Sequence, residues 1–138
     1  MGEFSMRDPA EVQEWIAKAE EDFAGAVHLH RRKKHPLPNL VCFHSQQCAE
    51  KYLKAYLISR EIPPPRIHDL VALLDLCVTC DPSFERLRES CLRLDPYSVL
   101  FRYPGQEALP EEVPAVLNAM RKARLFVRRR LPLGGNAP

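Results

Sequence analysis

Leu40-Val41-Cys42-Phe43-His44-Ser45-Gln46-Gln47-Cys48-Ala49-Glu50-Lys51-Tyr52-Leu53-Lys54-Ala55-Tyr56-Leu57-Ile58-Ser59 runs without a proline or a glycine between two breakers, His35-Pro36-Leu37-Pro38-Asn39 and Ile62-Pro63-Pro64-Pro65. Proline removes a backbone donor and fixes φ, so each breaker ends regular structure and the stretch between them is free to be one helix. Wound at 3.6 residues per turn, Leu40, Val41, Phe43, Cys48, Ala49, Tyr52, Leu53, Ala55, Tyr56 and Leu57 cover more than one face. A helix that is apolar around most of its circumference belongs at the centre of a bundle.

Outward from this centre, the remaining segments read as helices too. Asp8-Pro9-Ala10-Glu11 places a capping side chain, a proline at the first helical position and a carboxylate at the third, which starts a helix. Val12, Trp15, Ile16, Ala19, Phe23, Ala26, Val27 and His30 then recur at three and four residues, predicting a first helix over about 9–32. Leu70, Val71, Leu73, Leu74, Leu76 and Cys77 predict a shorter third helix opening near His68-Asp69, and Asp81-Pro82 caps a fourth over about 83–94 with Phe84, Leu87, Cys91 and Leu94 inward. Residues 95–109 read as an irregular crossing, and Pro110-Glu111-Glu112 opens a last helix lined by Val113, Val116, Leu117, Met120, Ala123 and Val127. No segment alternates with the period of a strand, so the fold expected is all-α, a five-helix up-and-down bundle. Residues 1–6 read as an appended leader, 7–132 as a single domain and 133–138 as a disordered tail.

The chain has 138 residues, 46% of them hydrophobic and 28% charged, with a formal charge of +2. Those proportions fit one soluble domain with an ordinary core that needs no staple. No apolar run approaches a membrane span and no signal region opens the chain, so the expected location is cytoplasmic, with no membrane partner. Cys42, Cys48, Cys77, Cys80 and Cys91 are scattered through apolar stretches, as in a reducing compartment. Cys77-Val78-Thr79-Cys80 has half of a zinc or redox motif, but the second ligand pair and the βαβ context are missing, so neither a metal nor a cofactor is expected.

The small net charge conceals alternation: residues 1–30 carry −5, 31–60 carry +6, 61–110 carry −3 and 111–138 carry +4. The runs Arg31-Arg32-Lys33-Lys34, Arg121-Lys122-Ala123-Arg124 and Arg128-Arg129-Arg130 suit phosphate contact, and equally suit solvated loops or helix C-termini.

Phosphate-binding loops, dinucleotide fingerprints, metalloprotease and serine-hydrolase motifs do not occur, which removes the common mechanisms they carry. Three polar groups remain. Gln47, Glu50 or Lys51, and Lys54 share a helical face, which reads either as a ligand face or as an exposed stripe pairing Glu50 with Lys54. His68-Asp69 precedes an apolar run, where capping is the simplest role. Tyr97, Arg102 and Tyr103 stand in the crossing before Pro104-Gly105, where an arginine and two tyrosines can hold a phosphate or stack a base, or close the loop onto a helix end.

Trp15-x6-Asp22, Cys42 to Ala55, His68-Asp69-Leu70 and Arg102-Tyr103-Pro104 occur in an order that resembles the HEPN domain family, over about residues 9–131. The resemblance implies a bundle of HEPN type that forms a homodimer. It also implies nucleotide or RNA binding, RNA cleavage or a toxin–antitoxin pairing, with a minimal nucleotidyltransferase as partner. Apolar residues on several faces of the second helix point the same way, since one small bundle is not expected to cover them all.

Ribonucleases of the family place a histidine after an arginine with four to six residues between them, a pair that stabilises the phosphorane and moves a proton without metal. Here Glu107, Ala108 and Leu109 stand at those distances from Arg102, and no histidine follows His68. The expectation is therefore a binding module without a catalytic residue, using Arg102, Tyr103, Tyr97, Lys51, Lys54 and Gln47 for ligand, with His68, Asp69 and Glu50 as structural polar groups. The alternative is an endoribonuclease toxin in which His68 or His44 is brought to Arg102. Held between Phe101 and Tyr103, Arg102 either pairs with Asp69 or Glu50, which we favour, or faces a phosphate in a groove rimmed by Lys51 and Lys54.

Overall fold

The computed structural model describes residues 9–98 and 104–132. Among the described residues there are five α-helices: α1 Pro9–His30, α2 Pro38–Ser59, α3 Leu70–Cys80, α4 Arg88–Leu94 and α5 Val113–Arg128. Single 3₁₀ segments precede α4 (Pro82–Leu87), follow it (Asp95–Ser98) and precede α5 (Pro110–Glu112). No strand occurs among the described residues, and the all-α bundle expected from periodicity is the fold observed.

α2 is the hub, packing on α1, α3, α4 and α5. It begins two residues earlier than expected because Pro38 occupies its first turn, where a missing N–H costs nothing. Asn39 then ties the start of α2 to the segment before α5, accepting from the Ala108 amide at 2.6 Å and donating to Glu107 at 2.8 Å. Val41, Cys42, Cys48, Ala49, Tyr52, Leu53, Ala55, Tyr56 and Leu57 are all buried within the single chain. Four packed neighbours thus cover most of the expected apolar set, while Leu40 remains exposed and Phe43 half-buried.

α1 stops at His30 rather than Arg32, its end tightening as the Arg31 amide is shared between Val27 and His28 and the Arg32 amide reaches Leu29. Four successive cations follow, and His35 takes a left-handed φ of 52°. Asp69 caps α3 by accepting from Ala72 at 3.0 Å, while Asp95, from beyond α4, accepts from Leu70 at 2.8 Å. The expected fourth helix is divided, because Asp81 accepts from both the amide and the hydroxyl of Ser83 and tightens the chain over Pro82–Leu87 into a 3₁₀ segment before α4 begins. Phe84, Leu87, Cys91 and Leu94 still face inward, as do Val113, Val116, Leu117, Met120, Ala123 and Val127 of α5. Asp8, Arg102, Tyr103 and the expected tail lie outside the described residues.

Candidate functional site

Glu50 stands near the middle of α2 and is 3% exposed. An ionised carboxylate in such a place needs donors, and the local sequence supplies them. Lys54, one turn on, donates to one oxygen at 3.0 Å, and Gln46, one turn back, donates to the other at 3.2 Å. The second N–H of Gln46 goes to the His68 carbonyl at 3.1 Å. Gln47 donates to the Gln46 side-chain oxygen at 2.7 Å and grazes Glu50 at 3.4 Å. Lys54 is itself 6% exposed and sits 5.7 Å from the centre of the Trp15 ring of α1, a cation–π distance.

His68, in the loop that enters α3, completes the cluster from outside. Its Nδ1 lies 3.1 Å from each oxygen of Glu50, while the side chain is 61% exposed. With Lys54 beside Glu50, the carboxylate is the acceptor, so Nδ1 carries a hydrogen. The ring is at the edge of an open cleft of about 490 Å³ formed with Asp69, Leu92, Asp95, Pro96 and Ser98. Both acids of the cleft are turned onto amides of the first turn of α3. Burial raises the Asp95 carboxyl above its ordinary range, the Leu70 amide opposes this, and neighbouring Asp69 adds to it.

The expected polar face of α2 is therefore sorted differently from its spacing. Glu50 and Lys54 pair as the i, i+4 rule suggests, but they are buried, which corrects both the exposed stripe and the groove rimmed by Lys54. Lys51 points elsewhere and donates to Asp22 of α1 at 2.6 Å, where Nδ1 of His44 also lies 2.8 Å from the other oxygen. Burial works against the charge on Asp22, but the hydrogen bonds of His44 and Lys51 and the ammonium of Lys51 prevail and hold its carboxyl below the usual range. His44 and His68 thus answer to different carboxylates. Tyr97 is nearly buried and donates to Glu112 at 2.8 Å, bracing the start of α5.

A third acid, Glu20, joins α1, α2 and α5. Arg124 embraces it at 2.7 and 2.8 Å, the Tyr52 hydroxyl donates to it, and Arg128 donates to that hydroxyl at 2.9 Å. Burial opposes ionisation of Glu20, and the Arg124 and Tyr52 bonds outweigh it, lowering its pKa. Arg130 is spent on Asp81 and Ser83 at 3.2 Å each. Half of the basic run of α5 is thus committed to internal pairs.

Glu20 and Gln46 were given no role by the sequence, and Asp22 entered only through the Trp15-x6-Asp22 spacing, without its partners. The signal for its partners was present: Asp22 falls between Ala19, Phe23 and Ala26 on the inward stripe of α1, where an acid requires a cation from another helix.

The described elements define a small helical domain whose central helix buries an ion pair and orients one exposed imidazole at a cleft. Its sequence matches the HEPN domain over residues 12–130, and the chain belongs to that family. It is similar to an archaeal HEPN homologue of known crystal structure at 25% identity and a TM-score of 0.65, over 86% of this chain and 96% of the other. Among curated proteins none matches the chain. No helix of the described residues is long and apolar enough to cross a membrane.

Proposed function

We propose that this chain is a HEPN module that binds the phosphate of a nucleotide or RNA at the His68 cleft, as a homodimer, beside a minimal nucleotidyltransferase in a toxin–antitoxin-like pair. The observation that carries the reading is the His68–Glu50 contact: a buried, multiply held carboxylate fixes the ring of an exposed histidine at the mouth of a cleft. Anchoring of that kind lowers the entropy lost when Nε2, protonated, meets a phosphate oxygen. Asp69 and Asp95 weaken the attraction less than two free acids would, since both rest on helix amides. Arg102 belongs to the same proposed site through its place in the sequence, a few residues beyond Ser98. HEPN domains commonly dimerise, which supports the homodimer. The absence of a histidine at positions 107–109, four to six intervening residues after Arg102, supports binding without cleavage.

One observation favours a second reading, the metal-independent endoribonuclease. An imidazole whose Nδ1–H is held by a carboxylate is oriented to accept a proton at Nε2. In RNA that proton would come from a 2′-hydroxyl as its oxygen attacks the adjoining phosphorus and the 5′-oxygen leaves. Of the two candidate histidines, His68 has the more exposed side chain and lines a cleft. Incubation with total RNA in EDTA, together with binding of a labelled oligoribonucleotide, separates the two. Binding without cleavage, weakened at least tenfold in His68→Ala, is expected. Cleavage abolished in both His68→Ala and Arg102→Ala would replace the first reading with the second, and binding unchanged by both substitutions would remove the site.

A further inference from the structure

α4 presents two different surfaces. Leu92 enters the cleft of His68, while Glu89, Ser90 and Arg93 line a separate cleft of about 250 Å³ against Ala115, Asn118 and Lys122 of α5. Ser90 is 7% exposed, and its hydroxyl makes no hydrogen bond to any described residue. A buried hydroxyl ordinarily has a partner, in a helix most simply the carbonyl one turn back. Ser90 forgoes that partner on the wall of a cleft.

The cations around it are likewise outside the ion pairs of the described residues. Arg88, Arg124, Arg128 and Arg130 are held by acids of the fold. Neither Arg93 nor Lys122 forms an ion pair among the described residues, and the side chain of Asn118 makes no hydrogen bond among them. Two cations, an amide and a hydroxyl thus converge from two helices, with Glu89 as the opposing acid. Such a donor set suits an anion with several oxygens arranged around one atom, so that α4 and α5 are engaged together. A planar carboxylate has fewer acceptor directions to meet both helices.

We propose that the cleft between α4 and α5 is a phosphoryl-binding site, with Ser90 and Arg93 donating from one helix and Asn118 and Lys122 from the other. It is separate from the His68 cleft and stands whether or not that cleft binds a phosphate. The phosphoryl group has two natural sources, a terminal phosphomonoester or a polynucleotide backbone.

The test follows backbone amide resonances and thermal melting of the full chain during titration with inorganic phosphate, against sodium chloride at equal ionic strength. Adenosine 5′-monophosphate and a short RNA without terminal phosphates form two further arms. Expected are saturable shifts at Ser90, Arg93, Asn118 and Lys122, a rise in melting temperature with phosphate but not chloride, and at least tenfold weaker binding in an Arg93→Gln, Lys122→Gln double variant. Ser90→Ala should melt no lower than the parent in chloride yet lose most of the rise that phosphate brings. Competition by the monophosphate alone assigns a terminal phosphoryl group, and competition by the RNA assigns the backbone; either supports the site. Shifts that track ionic strength without saturating, parent-like affinity in the double variant, or a Ser90→Ala protein that melts well below the parent in chloride would overturn it.

Discussion

His68 and Glu50 are joined across the surface of the bundle: Nδ1 of a histidine whose side chain is 61% exposed lies 3.1 Å from both oxygens of a buried carboxylate. The histidine has freedom on its outer side and none on its inner side. Glu50 in turn is set by Lys54, Gln46 and Gln47, so the orientation of one surface ring rests on four residues of α2.

Removing the inner charge should damage the fold more than removing the outer ring. Glu50→Ala leaves Lys54 buried without a counter-charge and should cost about 3 to 5 kcal/mol in urea denaturation. A Glu50→Leu, Lys54→Met double variant, which removes both charges, should recover most of that loss. His68→Ala should cost less than about 1 kcal/mol, because the pair is half open to water.

The tautomer of His68 gives a second check. In the parent protein, nitrogen shifts of the neutral ring should report hydrogen on Nδ1. Glu50→Gln should lower that preference, since a neutral amide oxygen is a weaker acceptor than a carboxylate. An unchanged tautomer ratio would mean that Glu50 does not orient the ring.

Acid should weaken the protein through Asp22 and Glu20. Both carboxyls titrate below their ordinary values of 3.8 and 4.5, so the unfolded chain binds protons first as the pH falls. Their contribution is therefore fully present above about pH 4.5 and is lost as the pH drops through the lower folded values. Urea midpoints measured between neutrality and strongly acidic pH should fall in that window, and Asp22→Asn should flatten the dependence. A midpoint as steeply pH-dependent in Asp22→Asn as in the parent would deny Asp22 its part.

The thiols should differ sharply in reactivity. Burial raises Cys42 and Cys91 to about 12 and pushes Cys48 and Cys77 higher still, and the thiolate is the reactive form. Cys80, the partly exposed thiol, should be labelled rapidly by an aromatic disulfide reagent in the native protein, with the other four labelled on unfolding. Rapid native labelling of Cys77 would contradict its burial against Leu53.

Light scattering should give twice the monomer mass for the proposed homodimer. The exposed Leu40, Leu92, Leu109 and Leu125 are available surface for that contact, whereas the core of α2 is not. A concentration-independent monomer would refute it.

Helices were legible because their signals are local. The spacing of Val12, Ile16 and Ala19, or of Val116, Met120 and Val127, records which side of a segment avoids water, and Pro9, Pro38 and Pro110 mark where a helix can begin. The division of the fourth helix was less so, since it turns on a side-chain geometry at Asp81 and Ser83 that a hydrophobic pattern does not encode. The candidate site was legible as a set of residue types, and the pairing of Glu50 with Lys54 followed from one-turn spacing.

By itself the sequence determined five amphipathic segments, the central place of α2 and the presence of acids and bases along its polar side, all properties of residues within a turn or two of one another. Only the tertiary structure decided which acid each base would meet. Lys54 is buried because Trp15 of α1 lies near its ammonium, Lys51 turns to Asp22 because α1 passes on that side, and His68 reaches Glu50 because the loop into α3 returns across α2. Such choices depend on how helices cross, and a charge on a helix face is exposed or enclosed according to the neighbour that packs over it.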